Sequence, residues 1–315
     1  MPNLASPNPQ IPHPHISTLT HYHINMQLID GKQIASDIKK ELAVKSAAII
    51  DKGDRAPHLV AILVGEDAAS QTYVASKERA CKEVGFTSTI YRLEPDTTET
   101  KLLEIIDFLN NDDEVDGFIV QLPLPAHINV QKVIRSINPT KDVDGFHPIS
   151  LGRMMLGEPT YLPATPFGIL QLLERSQIET SGKHCVVLGR SNIVGTPISV
   201  MLSRKANPGN CTVTLCHTGT KNLKEIAQTA DILIAAMGQP AFVTAEMVKE
   251  GAVVIDVGIH RIEDASEKGY HIVGDVKFDE VAPKCSHITP VPGGVGPMTI
   301  VSLLMNTFKA FNKEV

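Results

Sequence analysis

The feature that most restricts how this chain can fold is the regular exchange of short apolar runs with helix-length amphipathic stretches. From Gly31 onward the strand-like runs "HLVAILVG", "STIYRL" and "VDGFIVQLPLP" are separated by segments of helical period at about 32 to 52, 71 to 86 and 98 to 111. A connector dense in Gly and Pro, "PTKDVDGFHPISLGRMMLGEPTYLPATP", follows, and the alternation restarts through "FGILQLLER", "HCVVLG", "GTPISVMLSRK", "CTVTLC", "KNLKEIAQTA", "DILIAAMG" and "AVVIDVGI". Strands joined by helical crossovers pair in parallel within an α/β sandwich. Reactive groups then gather at the carboxyl ends of the strands. A chain of 315 residues suits two domains of ordinary size. The expected architecture is therefore α/β, with two α/β domains flanking a cleft and the second one Rossmann-like around a parallel sheet. Residues 26–146 form the first domain, joined by a C-terminal helix over 297–315, and residues 147–296 form the second.

Composition removes several functions. A net charge of -6, without any local Lys/Arg cluster, supplies no surface for wrapping nucleic acid. The longest apolar runs are far too short to span a bilayer, so no membrane partner is expected. Cys81, Cys185, Cys211, Cys216 and Cys285 form no CxxC pair and read as small buried hydrophobes, which suits a reducing cytoplasm. Residues 1–25 are rich in Pro, Asn, Ser, Thr and His and lack the apolar centre of a secretory signal; they are expected to stay disordered. The spacing of His13, His15, His21 and His23 there is too irregular for a metal site.

The second half carries a nucleotide signal. "KHCVVLGRSNIVGTPISVML" runs from a buried strand through Gly189 and Gly195 into a helix, which turns backbone amides and the helix N-terminus toward a ligand such as pyrophosphate. The following strand ends in His217 and Thr218, where an enzyme selecting NAD usually offers a carboxylate. Without that charge, and with Arg190 beside the first glycine, NADP is the expected cofactor.

The first half carries an anomaly. In "QTYVASKERACKEVGF" the charged residues fan across one helix face while Tyr73, Val74, Ala80, Cys81 and Val84 occupy the other, yet Lys77 projects from the middle of the apolar arc. It lies one turn from Tyr73, so the two side chains are neighbours. A lysine so placed either snorkels its ammonium off the buried stripe or keeps a desolvated amine for chemistry. Gln121 in "QLPLP", Asp144 in "KDVDGF" and the loop "TPVPGGVGPMT" before the last apolar helix share its setting at strand ends and rigid turns.

The motifs "YVASKERACKEVGF", "QLPLP", "KDVDGF", "GRSNIVGTP", "GQP", "VIDVGI", "VGDV" and "TPVPGGVGPMT" resemble, in this order and over about residues 26 to 312, the bifunctional methylenetetrahydrofolate dehydrogenase/cyclohydrolase family. The resemblance implies oxidation of 5,10-methylenetetrahydrofolate with NADP and hydrolysis of the 5,10-methenyl cation to 10-formyltetrahydrofolate in one cleft. It implies that Lys77 is the catalytic lysine, that Tyr73 packs over the folate, that Gln121 tunes the lysine and that Asp144 anchors the pterin's amino edge. Leu122, Pro123, Pro292, Gly293, Gly294 and Val295 would complete the folate site. Gly189, Arg190, Ser191, Ile193, Val194, Gly195, His217, Thr218 and Ile259 would hold NADP. A homodimer through the nucleotide-binding domain is implied as well. The competing readings are a dehydrogenase without cyclohydrolase activity and a non-catalytic folate or nucleotide binder; an intact Lys77 with Tyr73 and Gln121 argues against both.

Overall fold

The structure is a computed structural model that describes residues 26–265 and 269–315. The tail and its four histidines lie outside the described residues. Along the first half run β1 (Gln27–Leu28), α1 (Gly31–Ile50), β2 (His58–Val64), α2 (Ala68–Glu83), β3 (Thr87–Leu93), α3 (Glu99–Asn110), β4 (Gly117–Val120) and α4 (Val130–Ser136). Next come α5 (Pro148–Leu156), α6 (Ala164–Arg175), β5 (His184–Leu188), α7 (Gly195–Ser203), β6 (Thr212–Cys216), α8 (Leu223–Ala227) and β7 (Ile232–Ala235). The chain finishes with β8 (Val253–Asp256), β9 (His260–Glu263), β10 (Tyr270–Val273), α9 (Phe278–Val281), β11 (His287–Ile288) and α10 (Val295–Phe311).

Two parallel sheets result. The first has the order β3-β2-β4 and the second β1-β11-β8-β7-β5-β6, with a separate β9-β10 hairpin. Every residue of β2 after His58, and all of β4, β7 and β8, is buried, as expected of parallel strands covered on both faces. In the second sheet β6 and β7 flank β5 on opposite sides, so the connection reverses there and leaves a crevice beyond the carboxyl ends of β5 and β7. Side-chain caps start the helices of the first half: Asp30 accepts from the Gln33 amide for α1, and Asp67 from the Ser70 amide for α2.

The halves share one apolar core. Ile38, Leu59 and Ile119 of the first half join Ile169, Val187 and Ile234 of the second through Met298 and Leu304 of α10. The last helix packs on α1, α2 and the first sheet and also along α6, where a Cβ on Gly168 would stand 2.9 Å from that of Met298. Strand β1, not singled out by the sequence pattern, crosses the other way: Gln27 and Leu28 pair in parallel with His287 and Ile288 of the second sheet. Two-residue strands carry too little periodicity to be read from sequence.

The crossing brings the start of α1 against the loop before α10. The Lys32 amide donates to the Gly293 carbonyl at 3.0 Å, and a Cβ on Gly31 would lie 1.9 Å from the Gly294 carbonyl oxygen. Helix propensity alone favours Gly31→Ala by roughly 0.5–1 kcal/mol. Backbone overpacking of this severity costs about 1–3 kcal/mol and wins. Gly31→Ala is therefore expected to lower the urea midpoint without changing the slope of the transition, as measured by equilibrium unfolding; a raised midpoint would contradict the close approach.

Candidate active site

Helix α2 presents Tyr73 and Lys77 one turn apart toward the end of β4. Lys77 is only 5% exposed. Its Nζ donates to Gln121 Oε1 at 3.1 Å and stands 4.5 Å from the centroid of the Tyr73 ring, a cation–π contact. Gln121 is fixed from two sides, its backbone amide donating to the Ile62 carbonyl at 2.8 Å and its Nε2 to the Leu122 carbonyl at 2.6 Å. With the Gln121 nitrogen engaged, its oxygen is left facing the lysine.

Burial sets the electrostatics. Desolvation holds the Lys77 ammonium below the ordinary lysine range, with Asp144 pulling in the opposite direction. The Asp144 carboxyl is raised by burial and drawn back by Lys77. Each group thus offsets part, but not all, of the burial that disfavours the other's charge. Asp144 retains some accessible surface although its carboxyl lies deep. Burial also raises the Tyr73 phenol, and Thr299 of α10 beside it draws it partly back. Thr299 lies one turn beyond Val295, so the "PGGV" loop and the lysine are linked through α10.

Leu122 and Pro123 continue directly from Gln121 at the end of β4. Pro292, Gly293, Gly294 and Val295 face Ile259 across an apolar cavity of about 150 Å³. Gly293 has φ 115°, a conformation that side-chain-bearing residues avoid.

At the crevice of the second sheet, Gly189 has φ 118° and a Cβ there would meet the Ala236 carbonyl oxygen at 2.0 Å. A Cβ on Gly195 would lie 1.9 Å from the Gly189 carbonyl oxygen, so both glycines are sterically required. The Ser191 hydroxyl accepts from the Val194 and Gly195 amides at 3.2 and 3.3 Å, occupying two of the donors that the sequence assigned to a ligand. Arg190 and Ile193 are exposed on the same turn. Because Leu188 is in register with Cys216, Arg190 and Thr218 each lie two residues past paired strand ends. His217 is turned into its own loop, where Nδ1 accepts from the Gly219 amide at 3.1 Å. The Gly189 and Gly195 cradle and the Arg190/Thr218 edge, with no acid between them, fit a phosphorylated dinucleotide.

Several site residues escaped the sequence reading. Asp256, Asp275 and His260 form a buried network at the same sheet edge. Their signal was present as acids inside otherwise apolar runs, "VVID" and "VGDV". Thr299 and Lys32 carried none. All five cysteines are buried, and no helix among the described residues is long and apolar enough to cross a membrane.

Family models described as "Tetrahydrofolate dehydrogenase/cyclohydrolase, catalytic domain" and "Tetrahydrofolate dehydrogenase/cyclohydrolase, NAD(P)-binding domain" match residues 29–144 and 163–315. The chain is 63% identical over 286 residues to "Bifunctional protein FolD" of Cytophaga hutchinsonii, covering 90% of this chain and 99% of that one. Among solved structures, the bifunctional FolD enzyme of Campylobacter jejuni superposes with a TM-score of 0.86 at 48% identity, covering 92% of this chain and 100% of the other. The Trypanosoma brucei dehydrogenase-cyclohydrolase, complexed with NADP cofactor and inhibitor, superposes with a TM-score of 0.87 at 37% identity, covering 92% and 98%.

The lowered pKa of Lys77 has a signed effect on stability. Between that value and the ordinary 10.5, the unfolded chain binds a proton that the folded chain has released, so stability rises with pH across the window. In Lys77→Met this rise should be missing. Urea unfolding of both proteins at a series of alkaline pH values measures it; parallel curves would mean that Lys77 is not desolvated.

Proposed function

The chain belongs to the tetrahydrofolate dehydrogenase/cyclohydrolase family, and from that premise we propose that it oxidises 5,10-methylenetetrahydrofolate with NADP and hydrolyses the 5,10-methenyl product to 10-formyltetrahydrofolate. The observation that carries this reading is the buried Lys77 amine, bonded to Gln121 and lying against the Tyr73 ring. Residues 26–146 with the helix over 297–315 handle the folate, and residues 147–296 the nucleotide.

Bound NADP supplies the hydride acceptor. The chain's own contribution to oxidation is orientation, with the pterin held by Asp144 and Tyr73 and the "PGGV" loop closing on its face. Hydrolysis asks more of the protein. Water must lose a proton as it attacks the amidinium carbon, and the departing ring nitrogen must gain one. An amine whose pKa is pulled down by burial moves protons in either direction nearer neutral pH than a surface lysine does. Gln121 aims the amine, and the Tyr73 ring stabilises its cationic form between transfers.

Arg190 and Thr218 support NADP over NAD, since the guanidinium would pair with the ribose phosphate and no carboxylate opposes it. A cytoplasmic homodimer formed through the nucleotide-binding domain fits the cysteine usage and the resemblance.

Lys77→Met is expected to lower the cyclohydrolase rate at least about 100-fold, the usual contribution of a general acid–base group, while part of the dehydrogenase activity survives. The absorbance of the methenyl cation reports both steps: it should appear on adding NADP and then persist in the variant, whereas it decays in the unmodified protein. Full cyclohydrolase activity in Lys77→Met would overturn the assignment. Initial rates should be higher with NADP than with NAD, and Arg190→Gln should narrow that difference.

A further inference from the structure

Two buried carboxylates at the carboxyl edge of the six-stranded sheet bind three loops to one another. Asp256, 3% exposed at the end of β8, accepts from the Gly258 and Asp275 amides at 2.9 and 2.8 Å through Oδ1, and from the Val276 amide at 3.0 Å through Oδ2. Asp275, fully buried, accepts from the Met237 and Gly238 amides at 2.6 and 2.9 Å through Oδ2. Its other oxygen, Oδ1, meets His260 Nε2 at 2.7 Å. The loop after β7, the loop between β8 and β9 and the segment after β10 therefore share two side chains. There is no slack between them: a Cβ on Gly258 would lie 2.4 Å from Asp275 Oδ1, and one on Gly274 would lie 1.8 Å from Asp256 Oδ2.

His260 is the only side-chain donor to Asp275 among the described residues, and its own side chain is only 19% exposed. It directly follows Ile259, which is 62% exposed and forms one wall of the apolar cavity facing Pro292 to Val295. Of the five hydrogen bonds on the two carboxylates that come from backbone amides, one alone, that of Gly258, comes from the loop carrying Ile259. The backbone pairing of His260 with Val273 holds that loop beside the segment before Asp275, and the His260 ring adds the one side-chain tie to the carboxylate that grips Met237 and Gly238. The ring thus transmits the position of the Met237–Gly238 loop to the wall of the cavity.

We propose that His260 is a positioning residue for hydride transfer: by donating to Asp275 it fixes Ile259 as the wall against which the nicotinamide ring of NADP packs. The inference rests on the functional reading above. Hydride transfer requires the two carbons to be held at near-attack distance, and a misplacement on the order of 1 Å from a change remote from the chemistry costs about 100-fold. Hydrolysis of the methenyl cation uses no nucleotide and is carried by Lys77, Gln121 and Tyr73 of the other half, so a displaced nicotinamide wall leaves it nearly unchanged. The protein therefore carries its own control reaction.

The test uses the full chain with His260→Leu and His260→Gln, the glutamine placing an amide donor near the position of Nε2. Dehydrogenase and cyclohydrolase kcat/KM are measured separately, the second starting from the methenyl compound without NADP. His260→Leu is expected to lower dehydrogenase kcat/KM for NADP about 10-fold or more, to leave cyclohydrolase within about two-fold, and His260→Gln is expected to recover most of the loss. A parallel fall of both activities would mean a general structural role and would overturn the proposal, as would an unchanged dehydrogenase or a glutamine variant as impaired as the leucine one. An unmodified protein that performs neither reaction would refute the functional reading itself, and this assignment with it; two working activities with the wrong pattern in the variants would refute this assignment alone.

Discussion

An ammonium ion taken out of water is the constraint around which the rest of this site is arranged. Full burial of an unpaired cation would drive it to the neutral form. Here three weaker interactions keep the proton within reach instead of removing it: the carbonyl oxygen of Gln121, the face of the Tyr73 ring and the nearby charge of Asp144. Each comes from a different part of the chain, the end of β4, helix α2 and the connector between α4 and α5, so the amine is poised only when the sheet, the helix and the connector are all in place. That dependence accounts for a lysine on the apolar face of a helix, where burial works against its charge.

The nucleotide side solves a different problem by backbone means. Gly189 and Gly195 permit contacts that any Cβ would prevent, and the strand register sets Arg190 beside Thr218. Buried acids then replace water as the partners of loop amides. Asp256 is pushed up to about 6 by burial even though three amides hold its charge, which shows how dry that edge is. A loop fastened by desolvated carboxylates is stiffer than one solvated at the surface, because breaking any single bond leaves a buried charge short of a donor.

The joint between the halves is made by segments that exchange places. Strand β1 leaves the first half to edge the second sheet, and α10 leaves the second half to pack on the first. Gly31 lies where the two paths meet, against the loop that faces Ile259. The two halves are consequently joined by close-packed backbone rather than merely by a linker.

How much of this could be read from the residues differs from element to element. The alternation of apolar runs with amphipathic helices determined the two parallel sheets, because a strand covered on both faces must be apolar throughout and its crossover must be a helix. The misfit of Lys77 on its helix, the glycines after β5 and the missing acid at His217 and Thr218 were likewise written locally, each a violation or requirement visible within one turn of chain. What the linear chain left open was partnership. Nothing near Asp275 in sequence says that its carboxyl takes the amides of Met237 and Gly238 or the ring of His260, and nothing near Gln27 says that it pairs with His287. Those contacts join residues 15 to 260 positions apart, and their energy comes from excluding water at a place that exists only after both sheets have packed.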